Sequence, residues 1–259
     1  KNRKNKESNY VCVMFKNSIW FNLHETESTN SFLHEQLMSE KLPEGSVVTA
    51  DYQTKGRGQR GSSWQSEAGK NLLMSIVVYP DFLKASEAFV LSKCIALATC
   101  DLLADYSNQV RIKWPNDILI EGKKVAGILI ENILRGADIY ATIAGIGINF
   151  NQQVFEVGLN SATSVFINSG VKADTQINAV KLHENIEVYY QMLQQKKIEE
   201  IDRLYLTHLY KLNETALFKD ADGPFQGKIK GLSPMGLLIV ERENGEKHLY
   251  DVKEISLVR

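Results

Sequence analysis

Apolar and polar residues alternate along the chain in a way that predicts a mixed succession of strands and helices. Residues 19–23 form a short apolar run that predicts a strand. Ser28, Thr29 and Asn30 then supply capping side chains for a helix that turns Phe32, Leu33 and Leu37 inward. Residues 46–51 and 72–79 predict two further β segments. Between them lies the longest apparent loop of the main body, with Gly56, Gly58, Gly61 and Gly69. Over residues 86–106, Phe89, Leu91, Ile95, Ala98, Leu102 and Leu103 recur at helical spacing and predict a core-facing helix.

A dense β region follows. Runs at 110–114, 118–121, 125–131 and 140–149 are separated by Pro-Asn-Asp, Glu-Gly-Lys-Lys and Arg-Gly-Ala-Asp, which predicts consecutive antiparallel strands joined by hairpins. Residues 175–210 return to helical spacing, with Ile186, Tyr189, Tyr190 and Leu193 on one face and Ile201, Leu204, Tyr205 and Leu209 on another. From about residue 214 the runs become short and strand-like, broken by Asp-Gly-Pro, Ser-Pro-Met-Gly and Glu-Asn-Gly-Glu, and predict a small β-barrel. No repeat of solenoid length is present.

Composition narrows the class. With 259 residues, 44% hydrophobic and 24% charged, the chain has the make-up of a soluble globular enzyme. A net charge of -1 provides no global basic field for nucleic acid. Lys1, Arg3, Lys4 and Lys6 read as a solvated tail. Cys12, Cys94 and Cys100 fit neither a disulfide framework nor a zinc spacing, which points to a reducing cytoplasm. No apolar stretch reaches the length of a membrane span or signal core, so no membrane association is expected.

Three segments carry candidate chemistry. Gln53-Thr54-Lys55-Gly56-Arg57-Gly58-Gln59-Arg60-Gly61, with Trp64 after it, combines backbone that a ligand can approach with guanidinium donors suited to phosphate or carboxylate. A flexible basic surface loop has the same composition, and no helix pattern follows as a dinucleotide fingerprint requires. Lys113-Trp114-Pro115-Asn116-Asp117 is good turn chemistry, but Lys124-Val125-Ala126-Gly127 follows closely. Two strands would then present Lys113 and Lys124 near one edge, with room at Gly127 for a flat ligand and Asp117 available to a metal ion. In Gly145-Ile146-Gly147-Ile148-Asn149 the repeated glycines point to a ligand, another backbone or a helix against one face of the strand.

Taken together and in this order, Glu27-Ser28-Thr29-Asn30, Gly56 to Gly61, Lys113 to Asp117, Lys124 to Gly127 and Gly145 to Asn149 resemble the biotin protein ligases. The resemblance runs from about Trp20 through Phe150 and more weakly beyond. It implies an α+β fold: a mixed β-sheet catalytic domain at 18–212 flanked by helices, a small SH3-like β-barrel at 213–259, and an N-terminal tail at 1–17. It further implies formation of biotinyl-5'-AMP from biotin and ATP with Mg²⁺, then transfer of biotin to a lysine of a biotin carboxyl carrier protein. By the same resemblance, Ser28, Thr29, Gln53, Arg57, Lys124 and Gly127 address biotin, with Arg57 and Lys124 as catalytic residues. Gly56, Gly58, Gln59, Arg60, Trp64, Lys113, Asn116 and Asn149 address the nucleotide, and Asp117 the magnesium. One departure stands out: the family loop reads Gly-Arg-Gly-Arg where this chain has Gln59, which donates hydrogen bonds without charge.

A lipoate ligase is disfavoured, since the chain has no Arg-Arg-x-Ser-Gly-Gly-Gly segment. Fewer than 30 residues precede Ser28, too few for a helix-turn-helix domain, so no sequence-specific DNA binding is expected; a homodimer is left open.

Overall fold

The computed structural model describes residues 15–156 and 161–258, the Arg60 side chain excepted; Cys12 and the basic tail lie outside them. The elements in chain order are β1 (Trp20–Thr26), α1 (Thr29–Ser39), β2 (Val47–Gln53), β3 (Leu72–Val78), α2 (Phe89–Ala104), β4 (Val110–Lys113), β5 (Asp117–Ile120), β6 (Lys123–Arg135) and β7 (Asp138–Ile148). They continue with α3 (Val165–Ser169), α4 (Thr175–Gln194), α5 (Ile198–His208), β8 (Thr215–Asp220), β9 (Gly223–Leu232), β10 (Leu238–Arg242), β11 (Lys247–Tyr250) and β12 (Ser256–Leu257).

Strands β1 to β7 form one sheet in the order β1-β2-β3-β7-β6-β5-β4. Only the β1–β2 pair in it is parallel, so the expected mixed sheet is present. Side chains along a strand point alternately to its two faces, and β3 shows what each face meets. Leu72, Met74, Ile76 and Val78 join the large core shared with α2, α4 and α5. Val77 joins a smaller core with Leu33 of α1, Val48, Ala141 and Ile143. The opposite face of β3 to the large core thus looks toward α1, and the candidate site lies there.

Helix α2 is buried on nearly all sides, which explains its continuous apolar content. Cys94 and Cys100 are buried within it, and burial pushes both thiols well above the ordinary range, so packing is their role. The helical stretch at 175–210 is two helices, broken where Lys196 takes a positive φ of 58°. Among the described residues no helix is long and apolar enough to cross a membrane.

The last five strands pair as an antiparallel sheet, β11-β10-β9-β8-β12. Its edge strands β11 and β12 do not pair with each other among the described residues, so the ladder is open where a closed barrel was expected. The last strand is only two residues long, too short to carry a closing ladder. The segments around it are tied to the first sheet: just before β8, Tyr210 N donates to Ile112 O at 2.8 Å, and Trp114 Nε1 donates at 2.9 Å to Gly236 O between β9 and β10.

Candidate active site

The floor of the site is set by register. Leu73 of β3, Gly147 of β7, Gly127 of β6, Asp117 of β5 and Lys113 of β4 are successive partners in one row across five strands. A parallel row holds Ser75, Gly145 and Leu129. Both rows face the α1 side, and their glycines leave a trough.

Strict alternation would send Lys124 to the opposite face from Gly127. A β-bulge prevents this: Ile118 pairs with Ala126 but Leu119 with Lys124, so Val125 is an extra residue. Val125 and Ala126 both enter the large core. Lys124 therefore emerges beside Gly127 on the trough side, with Nζ 2.6 Å from Asp117 Oδ1. Lys124 and Asp117 thus meet on the trough side, and Lys113 is the register partner of Asp117 on β4. Asp117 is a lone carboxylate there, and the described residues contain no cluster of three or more potential metal ligands. A single carboxylate fits Mg²⁺ shared with phosphates, but not a metal held by protein alone.

At the other end of the trough, α1 begins. Ser28 is its N-cap residue but makes no side-chain cap hydrogen bond, and it lines the cleft. Gln53 Oε1 accepts from Thr29 N at 2.7 Å and lies 3.0 Å from Thr29 Oγ1, which orients the amide so that Nε2 remains to donate. Ser75 Oγ lies 2.7 Å from Thr29 Oγ1 and 2.6 Å from Asn30 Oδ1. Asn30 Nδ2 donates to Glu131 Oε2 at 2.7 Å.

The glycine-rich loop is a small hairpin. Trp64 N donates to Gly56 O at 2.9 Å and Gly58 N to Ser62 O at 2.7 Å, around a 3-10 turn at Gln59–Gly61. A Cβ on Gly56 would overlap the Trp64 carbonyl, which is why glycine stands there. The hairpin delivers two side chains. Arg57 Nη2 donates to Glu131 Oε2 at 3.0 Å. The Trp64 indole lies on the bare faces of Gly127 and Gly147, where added Cβ atoms would sit 2.9 Å and 2.7 Å from its Cζ3 and Cζ2. A flat group of the chain itself, the Trp64 indole, thus lies against Gly127. Its Nε1 is buried with no hydrogen-bond partner, and Lys124 Nζ lies 5.5 Å from the ring centroid.

The resulting cleft is narrow, with a free volume of about 40 Å³. It brings together Ser28, Thr29, Gln53, Arg57, Gly58, Trp64, Asn116 and Gly127. Asp117 and Lys113 continue the floor row beyond Gly127, with Lys124 paired to Asp117 beside it, and Gly56 lies behind Trp64. Gln59 does not line it, being in the outer turn of the hairpin. Asn149 is buried just behind: its Nδ2 donates to Thr163 O at 3.0 Å, while Oδ1 has no partner. Asn30, Ser75 and Glu131 are site residues that sequence reasoning did not assign. Ser75 carried a signal, as the one polar residue in a strand whose every position is buried.

The glycine-floored trough thus has the Lys124–Asp117 pair at one end and, at the other, the hydrogen-bonding start of α1 with Glu131 and Arg57. The model of the Biotin/lipoate A/B protein ligase family matches residues 23–149. The chain is 32% identical over 231 residues to the bifunctional ligase/repressor BirA of Bacillus subtilis, covering 88% of this chain and 71% of that protein. It is 30% identical over 233 residues to the biotin--[acetyl-CoA-carboxylase] ligase of Paracoccus denitrificans, covering 87% and 95%. The biotin protein ligase from Aquifex aeolicus, solved in complex with biotin and ATP, matches with a TM-score of 0.76 at 29% identity over 95% of this chain and 100% of that one. The chain belongs to the biotin/lipoate A/B protein ligase family.

Proposed function

We propose that this chain is an ATP-dependent biotin protein ligase, forming biotinyl-5'-AMP from biotin and ATP and then transferring biotin to a lysine of a biotin carboxyl carrier protein or domain. The observation that carries the reading is the floor row with its bulge, which aligns a neutral hydrogen-bonding end and a cationic end along one trough. Ser28, Thr29 and Gln53 suit the ureido head. Arg57 and Lys124 suit the carboxylate and the phosphate it attacks.

Biotin's carboxylate is a weak nucleophile approaching a polyanion, so the first step requires alignment and neutralisation more than a covalent enzyme intermediate. Lys124 donates at the point where negative charge accumulates, and Lys113 lies next in the row for the departing phosphates. Asp117 would hold Mg²⁺, which supplies further neutralisation when bound; Lys124 must then leave its present partner. Two unpartnered buried atoms support a nucleotide beside Trp64: Asn149 Oδ1 accepts and Trp64 Nε1 donates, as a heterocycle with an amino group requires. The hairpin over the trough excludes water from the mixed anhydride.

We further take residues 18–212 as the catalytic domain and 213–259 as an SH3-like barrel. Tyr250 OH on β11 donates to Asp220 Oδ2 on β8 at 3.0 Å, although β10 and β9 lie between these strands. A flat sheet would separate them by about 14 Å, so the sheet curls toward barrel form. The decisive assay is biotin-dependent ATP–pyrophosphate exchange. No exchange with biotin, or equal exchange with lipoate, overturns the reading.

A further inference from the structure

Glu131 has no role in the chemistry above, yet it is the group that Arg57 touches. It lies on β6 one row beyond Leu129, on the trough side, in register with Ile143. Its Oε2 accepts from both Arg57 Nη2, at 3.0 Å, and Asn30 Nδ2, at 2.7 Å. Asn30 cannot follow a moving loop, because it is buried, its Oδ1 is 2.6 Å from Ser75 Oγ, and Gly145 is bare to admit it. A line of polar contacts therefore runs from the sheet through Ser75, Asn30 and Glu131 to the arginine of the hairpin.

We propose that Glu131 is a positioning residue that holds Arg57 over the trough as an internal counter-anion and yields it only to a ligand bringing an anionic group of its own. This rests on the reading of Arg57 as the arginine that meets the ligand's carboxylate and phosphate. Exposure makes the exchange feasible. The two side chains are 46% and 36% exposed, so water screens the pair and it is weak enough to open. A fully buried pair would not release its cation so readily. The hairpin fixes the Arg57 backbone through the bonds at Gly56 and Gly58 but leaves its long side chain free to turn, so Glu131 sets where the guanidinium waits. A neutral ligand offers nothing in exchange for that carboxylate and leaves the pair closed, so only the acid opens the contact, and it does so at a cost to its own affinity.

Glu131→Gln tests this, since it keeps shape and an acceptor for Asn30 while removing the charge. Without ligand, trypsin cleavage after Arg57 should rise about three- to fivefold, as expected for losing a partly exposed ion pair. Calorimetry should show biotin bound tighter by a similar factor, while uncharged biotin amide binds both proteins equally. Glu131→Asp retains the charge but not the reach; it should act in the same direction and serves if the glutamine variant does not fold. Unchanged or weaker biotin binding in these variants, or an equal gain for the amide, overturns the proposal. If the unmodified protein binds no biotin, the ligand assignment has failed instead. The cleavage comparison, made without ligand, still judges whether Glu131 holds Arg57.

Discussion

Gly145 and Gly147 stand two residues apart on one strand, neither with a positive φ, so alanine costs nothing in backbone conformation at either. Their variants should nevertheless fail differently. A Cβ at Gly145 would lie 3.0 Å from Asn30 Cγ and overlap its Oδ1. Asn30 is 2% exposed and locked by Ser75 and Glu131, so it has nowhere to go. Overpacking costs about 1–3 kcal/mol, and a strained buried hydrogen bond adds about 1 kcal/mol. A loss of about 2–4 kcal/mol corresponds to roughly 5–15 °C in Tm for a domain of this size. A Cβ at Gly147 instead meets the Trp64 indole, which belongs to a half-exposed hairpin and can swing out. The lost apolar contact, about 1–2 kcal/mol, is offset by solvating Nε1, worth about 1–3 kcal/mol. Gly147→Ala should therefore melt within a few degrees of the unmodified protein, while trypsin cuts its hairpin faster and its KM for ATP rises. Thermal denaturation, limited digestion and pyrophosphate exchange on the two variants provide the comparison. Equal destabilisation by both, or a neutral Gly145→Ala, would refute the assignment of Asn30 as fixed and Trp64 as displaceable.

Lys124→Ala should slow adenylate formation by about 10²–10³-fold while changing ATP affinity far less; unchanged single-turnover rates in folded protein would remove Lys124 from the catalytic set. Trypsin should nick the unliganded protein after Lys55, Arg57 and Arg60, and biotin plus ATP should protect those bonds; equal rates with and without ligands would mean that the hairpin does not close over the intermediate. His183 is packed against Phe15 and Trp20, with Nε2 2.9 Å from Gly45 O, and burial lowers its pKa below the ordinary 6.5 despite Glu187 and Glu184 nearby. The unfolded chain then takes up the proton more readily, so this contribution to stability is full above about pH 6.5 and is lost as pH falls below it. Urea midpoints from about pH 7.5 to 5.5 should decline, and His183→Gln should flatten the decline; an unchanged slope would exclude His183 as its source.

Much of the fold was legible because strand alternation and turn residues are local properties. The hairpins from Val110 to Ile148 were foreseen from their turn sequences, and α2 from its spacing. The strand order was not. That β7 lies between β3 and β6, and that β1 runs parallel to β2, depends on packing between segments far apart in sequence. The barrel expectation shows the same limit from the other side, since short strands are local but edge pairing is not. In the site, residue types were legible and their partners were not. Bare glycine faces announced that something flat would lie on them, but not that it would be the Trp64 indole. Glu131 carried no local signal, because its meaning comes from Asn30 and Arg57, on other elements.

Lys124 shows how one local irregularity can decide the chemistry. A regular β6 would alternate Gly127, Ala126, Val125 and Lys124, leaving the lysine on the large-core face and the trough without its central cation. Burying that charge unpaired among apolar side chains costs several kcal/mol, whereas a bulge leaves one residue out of the ladder. Val125 and Ala126, consecutive and both fully buried, are the trace of that solution. The backbone around it is held from the far side: Lys124 N donates to Ser161 O at 2.7 Å, and Thr163 N donates to Lys124 O at 2.8 Å. The position of the lysine therefore depends on backbone contacts outside the sheet as well as on its own strand. A polar or β-breaking change at Val125 would force the bulge to relax or the core to accept it, and either outcome moves Nζ away from Asp117. The placement of the charge and the packing of the core are consequently a single structural requirement.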